Sequence, residues 1–352
     1  MNSIVSIGPI NVEIIGDDEI SSLIKDELGG NIKNSSENID LELIINSEQK
    51  FTSYHPTHYS GKDSMNFNNR EYYVGYLEYL NYIVENPFDS GKISLHIQIK
   101  EQSTINKAKK KLLSLKKVEY SDNNRLVRSF ILSYAVFWNI FQLALLKKNC
   151  SFIHGAIVEK NGSANVFTGT GGSGKTSLAM QLLKSKNAKY LSEDFGIISS
   201  NGIAYFNPKS LSLYRSDIEQ GNSFVANAIK SLSPEMKRKW KILTTISSKN
   251  QLLKIPPLDL FDQNKINNSS KITKIFFLIR ENCDSITMNK ISIDELSERV
   301  TQASLVELKS LSEVLRRILA NSPLSYQYKS DFDLYGMMLK ITNLHFQTLN
   351  TS

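Results

Sequence analysis

Gly169-Thr170-Gly171-Gly172-Ser173-Gly174-Lys175-Thr176 decides how this chain is read. The eight residues fit the pattern G-x-x-x-x-G-K-[ST], and their flanks supply the setting it needs. Residues 164–168 (Ala-Asn-Val-Phe-Thr) read as a short buried strand, and residues 175–186 place Leu178, Ala179, Leu182 and Leu183 at helical spacing. A glycine-rich turn between strand and helix lets backbone N–H groups converge on a phosphate with no Cβ in the way. The helix start adds a dipole that favours negative charge. Lys175 is then in reach of the β- and γ-phosphates, and the Thr176 hydroxyl can ligate Mg²⁺. The expectation is a nucleoside triphosphate site made of Gly169, Thr170, Gly171, Gly172, Ser173, Gly174, Lys175, Thr176 and Ser177.

Composition narrows the class. At 352 residues the chain exceeds one average domain, and its 41% hydrophobic and 22% charged residues are ordinary for a soluble globular protein. The formal charge of +7 is spread widely, with one dense run from Lys107 to Lys117. No aromatic residue interleaves with that run, so it reads as a solvated helix face, and no nucleic-acid partner is expected. Cys150 and Cys283 lie far apart without His or Cys neighbours at ligand spacing. That argues against a disulfide framework or structural zinc and suits a reducing cytoplasm. Residues 1–4 open no basic or apolar leader. Residues 129–146 are apolar over roughly the length of a membrane span, but they include Ser129, Ser133, Asn139 and Gln142 and read as a core helix. No membrane span is expected.

The pattern divides the chain into an N-terminal α+β region (1–120), an apolar connecting helix (121–150), a nucleotide-binding core (151–290) and a helical C-terminal region (291–352). The fold class expected is α/β in the core and α+β overall. In the first region, residues 4–7, 12–15, 41–45, 72–76 and 93–99 alternate or are β-rich, whereas 31–38 and 57–69 read as polar loops. Residues 107–117 read as a basic helix and 125–148 as one long apolar helix. Further on, 151–158 is a strand, and Asn161-Gly162 turns it into the P-loop strand. A second Asn201-Gly202 turn joins 196–199 to 203–206, and 274–280 is a buried strand. Residues 293–318 and 334–348 read as helices.

Two features bear on chemistry. Glu193-Asp194 closes a strand that follows the P-loop helix, and functional residues of an open α/β sheet gather at the carboxyl ends of strands. One carboxylate there can complete an Mg²⁺ shell, and another can accept the proton of an attacking hydroxyl. The second feature is His154, on the strand before the P-loop strand; spacing alone makes it a structural histidine. The order Ile153-His154-Gly155-Ala156-Ile157-Val158, a hairpin, the P-loop, then Tyr190-Leu191-Ser192-Glu193-Asp194 resembles the HPr kinase/phosphorylase family. That family shares its core with the phosphoenolpyruvate carboxykinases, and the likeness covers residues 150–215.

The resemblance implies a P-loop core of that type. It puts Lys175 and Thr176 on phosphates and Mg²⁺, Asp194 near the metal and the reacting phosphoryl group, Glu193 beside it as base or supporting acid, and His154 in the same pocket. It leaves open which carboxylate is the base. The family's glycine-rich Arg/Glu signature does not follow; residues 207–215 read Asn-Pro-Lys-Ser-Leu-Ser-Leu-Tyr-Arg instead. That departure argues against HPr as substrate and against phosphorolysis. The layout looks closer to HPr-kinase-like proteins of ribosomal peptide biosynthesis, such as lasso-peptide kinases, which phosphorylate a hydroxyl of a peptide or small molecule. Arg215 would then offset charge on the transferring phosphoryl group, while Lys209 reads as a surface base.

The expectation is a cytoplasmic ATP- and Mg²⁺-dependent phosphotransferase acting on a Ser-type hydroxyl of a peptide, protein or small molecule. Asp194, Glu193, His154, Lys175 and Arg215 would be catalytic, and Thr176 and Asp194 would hold Mg²⁺. A homo-oligomer is compatible with the sequence. The rival classes are a nucleotide-switched ATPase or GTPase and a non-catalytic nucleotide-binding scaffold. Asn264-Lys265-Ile266-Asn267 lacks the acid of a guanine-recognition motif, yet the choice between ATP and GTP stays open at this level.

Overall fold

Alternating apolar residues build the first layer. In β1 (Ser3–Ile7) and β2 (Ile10–Ile15), Val5, Ile7, Ile10, Val12 and Ile14 are buried, and the strands pair antiparallel across a turn at Gly8. Helix α1 (Glu19–Leu28) buries Ile20, Ile24 and Leu28, the i, i+4, i+8 stripe of a helix lying on a sheet. β4 (Leu41–Ile45) joins β2 in parallel, and β8 (Ile93–Ile99) joins β4 in parallel. With β3 (Ile32–Lys33), β5 (Ser64–Asn68), β6 (Glu71–Gly75) and β7 (Leu80–Glu85), they form an eight-stranded mixed sheet in the order β3-β1-β2-β4-β8-β7-β6-β5. Residues 64–68, expected in a polar loop, are a strand paired with β6. Met65 and Phe67 do alternate with polar neighbours there, but the Asn and Ser content outweighs that period in a composition reading.

The computed structural model describes residues 3–16, 19–28, 32–33, 38–46, 64–68, 71–75, 80–87, 91–99, 131–133, 136–214, 252–281, 287–307 and 345–351, with isolated positions between 226 and 241. The basic run 107–117, Arg215 and residues 308–344 lie outside the described residues.

The apolar helix expected over 125–148 is interrupted: Ile131 is helical, and a turn and bend at 132–133 come before the next helix, while 125–130 lie outside the described residues. α2 spans Phe137–Lys147, and every residue from Phe137 to Leu146 is buried, including Asn139 and Gln142. Gln142 is satisfied on both sides of its amide: Nε2 donates to Ser151 Oγ at 2.9 Å, and Oε1 accepts from the Phe152 backbone N–H at 3.1 Å. A helix apolar all round belongs inside a protein or a membrane. Among the described residues no helix is long and apolar enough to cross a membrane.

α2 leads directly into the second mixed sheet. β9 (Cys150–Lys160) turns at Asn161 (φ 53°) and Gly162 (φ 79°), the left-handed pair of a tight hairpin, into β10 (Ser163–Thr168). β10 pairs in parallel with β16 (Ser269–Arg280). β9 also pairs with β12 (Phe195–Ser199), β12 with β13 (Ile203–Tyr205), and β13 with β16, so five strands close a ring. β11 (Ala188–Ser192) lies on β9, and β14 (Leu211–Tyr214) pairs with β15 (Leu252–Ile255) apart from the ring. After the one-turn helix α4 (Pro257–Leu260), β16 leads to β17 (Thr287–Lys290) and α5 (Ile293–Glu307). Helix α3 (Lys175–Leu183) follows the P-loop and packs on β9, β10 and β11.

Residues 345–348, expected at the end of a final helix, belong instead to β18 (His345–Thr351), parallel to β16 and antiparallel to β17. The open edge of β16 supplies a ladder that local pattern cannot anticipate. The chain is therefore mixed α/β with two mixed sheets, compatible with α+β. One apolar cluster runs from the first sheet through α2 to Phe152, Phe195 and Ile197 of the second.

Candidate functional site

The P-loop leaves the carboxyl end of β10 with its glycines where they are sterically required. At Gly169 (φ +145°) a Cβ would lie 2.5 Å from the Leu278 carbonyl oxygen, and Gly174 adopts φ +92° as it caps α3. Lys175 is buried and folds back over its own loop, its ammonium donating to the carbonyls of Gly169 at 2.9 Å and Thr170 at 2.8 Å. The Gly171 N–H donates to Glu307 Oε1 at 2.6 Å. An anionic side chain thus lies against the loop, where a phosphate oxygen would fit by charge and donor geometry.

Opposite the loop, β11 covers residues 157–160 of β9 and β12 covers 150–154, so the two run in line, parted only by Glu193-Asp194. The expected strand end is a kink within a longer strand. Asp194 takes φ 65°, Phe195 N–H donates to the Glu193 carbonyl at 2.7 Å, and Gly155 N–H donates to the Asp194 carbonyl at 3.2 Å. Gly155 is demanded by close approach, since a Cβ there would stand 2.6 Å from the Phe167 carbonyl oxygen. The kink turns the two carboxylates to different partners. Thr176 Oγ1 donates to Glu193 Oε1 at 2.6 Å. Asp194 faces His154 Nδ1 at 3.4 Å and Lys209 Nζ at 3.3 Å. The hydroxyl–carboxylate pair that could take Mg²⁺ is therefore Thr176 with Glu193, where the sequence pointed to Thr176 with Asp194. Among the described residues no group of three His, Cys, Asp or Glu side chains forms a metal cage. Mg²⁺ beside phosphates needs only one or two protein ligands, so Thr176 and Glu193 fit it.

Lys209 is a correction to the sequence reading. It is no surface base: its side chain is 13% exposed, bonded to Asp194, with its ammonium 4.6 Å from the Phe195 ring centre. Buried Asn207 holds it there. Asn207 Nδ2 donates to the Phe195 carbonyl at 2.8 Å, its Oδ1 accepts the Lys209 N–H at 3.0 Å, and its own N–H donates to the Leu191 carbonyl at 2.9 Å. One residue, by its side chain and its own N–H, thus ties the 207–209 segment to both sides of the acidic kink. Sequence reasoning missed Asn207; the signal was an Asn two residues before a Lys, the spacing of an Asx turn. Lys265 and Asn267 of the tested guanine motif serve structure. Lys265 Nζ donates to the Ser185 carbonyl at 2.7 Å beyond α3, and Asn267 bonds the Glu159 carboxylate.

Electrostatics separate the two acids. Burial, then the neighbouring Asp194 charge, raise Glu193 from the ordinary 4.5 to about 7, against the Thr176 hydrogen bond and the two lysines. Burial also disfavours Asp194 as an anion, but Lys209, His154 and Lys175 outweigh it and hold Asp194 below its ordinary value. Burial and then Lys175 lower His154, against the Asp194 and Glu307 charges that favour its protonated form. Burial lowers Lys175 despite three carboxylates around it. Since Glu193 keeps a proton that the unfolded chain releases above about 4.5, its contribution to stability is lost as pH rises from there to about 7. Glu193→Gln, which cannot ionise and keeps an acceptor for Thr176, is expected to exceed the native chain in stability at pH 8. The gain is on the order of 3 kcal/mol and shrinks toward zero near pH 4.5. Thermal melts in EDTA across that range check it; equal stability at pH 8 would refute the burial of this charge.

No family model matches the chain, and no curated protein matches it either.

Proposed function

We propose that the chain is an ATP- and Mg²⁺-dependent phosphotransferase with a core of the HPr-kinase-like type, passing the γ-phosphoryl group to a hydroxyl of a peptide, protein or small molecule. One observation carries this: the Glu193-Asp194 kink sets one carboxylate on the P-loop threonine and the other between His154 and Lys209. A site for hydrolysis alone has less need of a second, separately charged carboxylate with its own lysine. Thr176 and Glu193 would hold Mg²⁺, which supplies charge neutralisation across the phosphates when bound. Asp194, kept anionic by Lys209, accepts the proton of the acceptor hydroxyl as that oxygen bonds to phosphorus and ADP leaves. Lys175 and Lys209 offset the charge that develops on the transferring group.

The N-terminal helix α1 reaches the Lys209 segment: Ser210, next to Lys209, donates to Glu27 of α1 at 3.1 Å. An acceptor reaching Asp194 would therefore pass close to α1, which suits a substrate-recognition role for that region. The test is incubation with Mg²⁺ and γ-labelled ATP in the presence of peptides and small alcohols. Label on an added hydroxyl, lost in Lys175→Ala, is the expected result. Label released only as free phosphate would replace the proposal with a nucleotide-switched ATPase. Nucleotide binding without turnover would replace it with a scaffold.

A further inference from the structure

The carboxylate on the P-loop comes from far away: Glu307 is the last described residue of α5, separated from Gly171 by 136 residues. It abuts the loop closely enough that a Cβ on Gly171 would fall 2.9 Å from Oε1 and 3.4 Å from Oε2. The helix presenting it is anchored, with Leu296, Val300 and Ala303 buried against β9 and β16 strand residues such as Ile153 and Ile275. Glu307 itself is exposed, so burial does not force its carboxylate onto the loop. Its field also reaches Lys175 and His154, the other groups around the phosphate position.

From this geometry we infer that Glu307 is a built-in competitor for the nucleotide, its carboxylate taking the Gly171 N–H that a bound phosphate oxygen needs. The inference rests on the nucleotide-site reading above and assigns that site a regulator within the same chain. A phosphate oxygen and the carboxylate cannot both accept that N–H, and as like charges they repel in the space around it. The nucleotide therefore binds only the fraction of molecules in which α5 has withdrawn Glu307, and its apparent affinity falls by that fraction. Anything that draws Glu307 away from the loop, a bound acceptor included, would raise nucleotide affinity by the same factor.

The experiment compares the full-length chain with Glu307→Gln and Glu307→Ala, titrating each with Mg²⁺-ATP, with inorganic pyrophosphate and with adenosine by calorimetry. ATP and pyrophosphate are expected to bind about tenfold more tightly to Glu307→Ala and by a smaller factor to Glu307→Gln, which loses the charge but keeps an oxygen for the Gly171 N–H; adenosine, which has no phosphate, should bind equally to all three. Unchanged ATP affinity in variants that melt like the native chain would overturn the competitor and leave the nucleotide site standing. A gain for adenosine as large as that for ATP would also overturn it, since that reports general loosening. If no form binds ATP or pyrophosphate, the nucleotide-site reading itself falls, and the competitor with it.

Discussion

Asp194→Asn is expected to lower phosphoryl transfer from Mg²⁺-ATP by about 10³-fold while nucleotide binding stays within a few-fold of the native chain. The substitution is well matched to its place. Asp194 takes φ 65°, a conformation asparagine adopts readily, and Asn keeps the backbone carbonyl that receives the Gly155 N–H. What it removes is the negative charge between His154 and Lys209. Without that charge no group at the position accepts a proton from an attacking hydroxyl, and Lys209 loses the partner that orients it. Lys209→Ala should show a smaller loss, of about 10²-fold, because Asp194 remains but is no longer held as strongly in its charged form. Measured turnover of Asp194→Asn within tenfold of native, with an unchanged melting temperature, would remove Asp194 from the chemistry and shift the base to Glu193.

How far this site could be seen in the sequence follows from how local its parts are. The P-loop, its strand and its helix are contiguous, and each step rests on short-range sterics: glycines at positive φ, then a helical apolar stripe. The Asn161-Gly162 and Asn201-Gly202 turns are equally local, and both bracket the strands they were expected to bracket. The acidic pair was legible as residues but not as geometry. That Glu193 meets Thr176 while Asp194 meets Lys209 depends on a kink created by pairing with β9. Lys209 looked like a surface base because nothing next to it in sequence announces burial; Asn207 brings it in through bonds to Leu191 and Phe195. Glu307 gave no signal at all, since its meaning depends on how a helix more than a hundred residues away packs beside the loop. β18 is the same lesson in backbone form, its pairing with β16 and β17 outweighing local helical pattern.

Phe152→Ala is expected to cost about 3–5 kcal/mol, a large share of the roughly 5–15 kcal/mol that holds a typical domain together. Phe152 is fully buried on β9, two residues before His154, and its ring meets Trp138 at 5.9 Å, Phe141 at 5.8 Å and Phe195 at 5.4 Å. Those partners belong to α2 and β12, so the ring joins the connecting helix to two neighbouring strands of the P-loop sheet. The cluster containing it also takes in β1, β2, β4, β7 and β8, and a cavity here weakens the packing that holds the N-terminal sheet against the second sheet. Because the apolar core is continuous, the loss should appear in both halves at once. Far-UV circular dichroism and the fluorescence of Trp138 and Trp240 should report one coincident, lowered transition. Phe152→Leu, which keeps most of the volume, should cost about 1 kcal/mol. Two separate transitions, with only one displaced by the substitution, would show that the halves fold independently and that Phe152 belongs to just one of them. A single displaced transition would also carry a functional consequence. The strand that places His154, and through Gly155 the Asp194 carbonyl, would then owe its position to a core shared with the region proposed to recognise substrate.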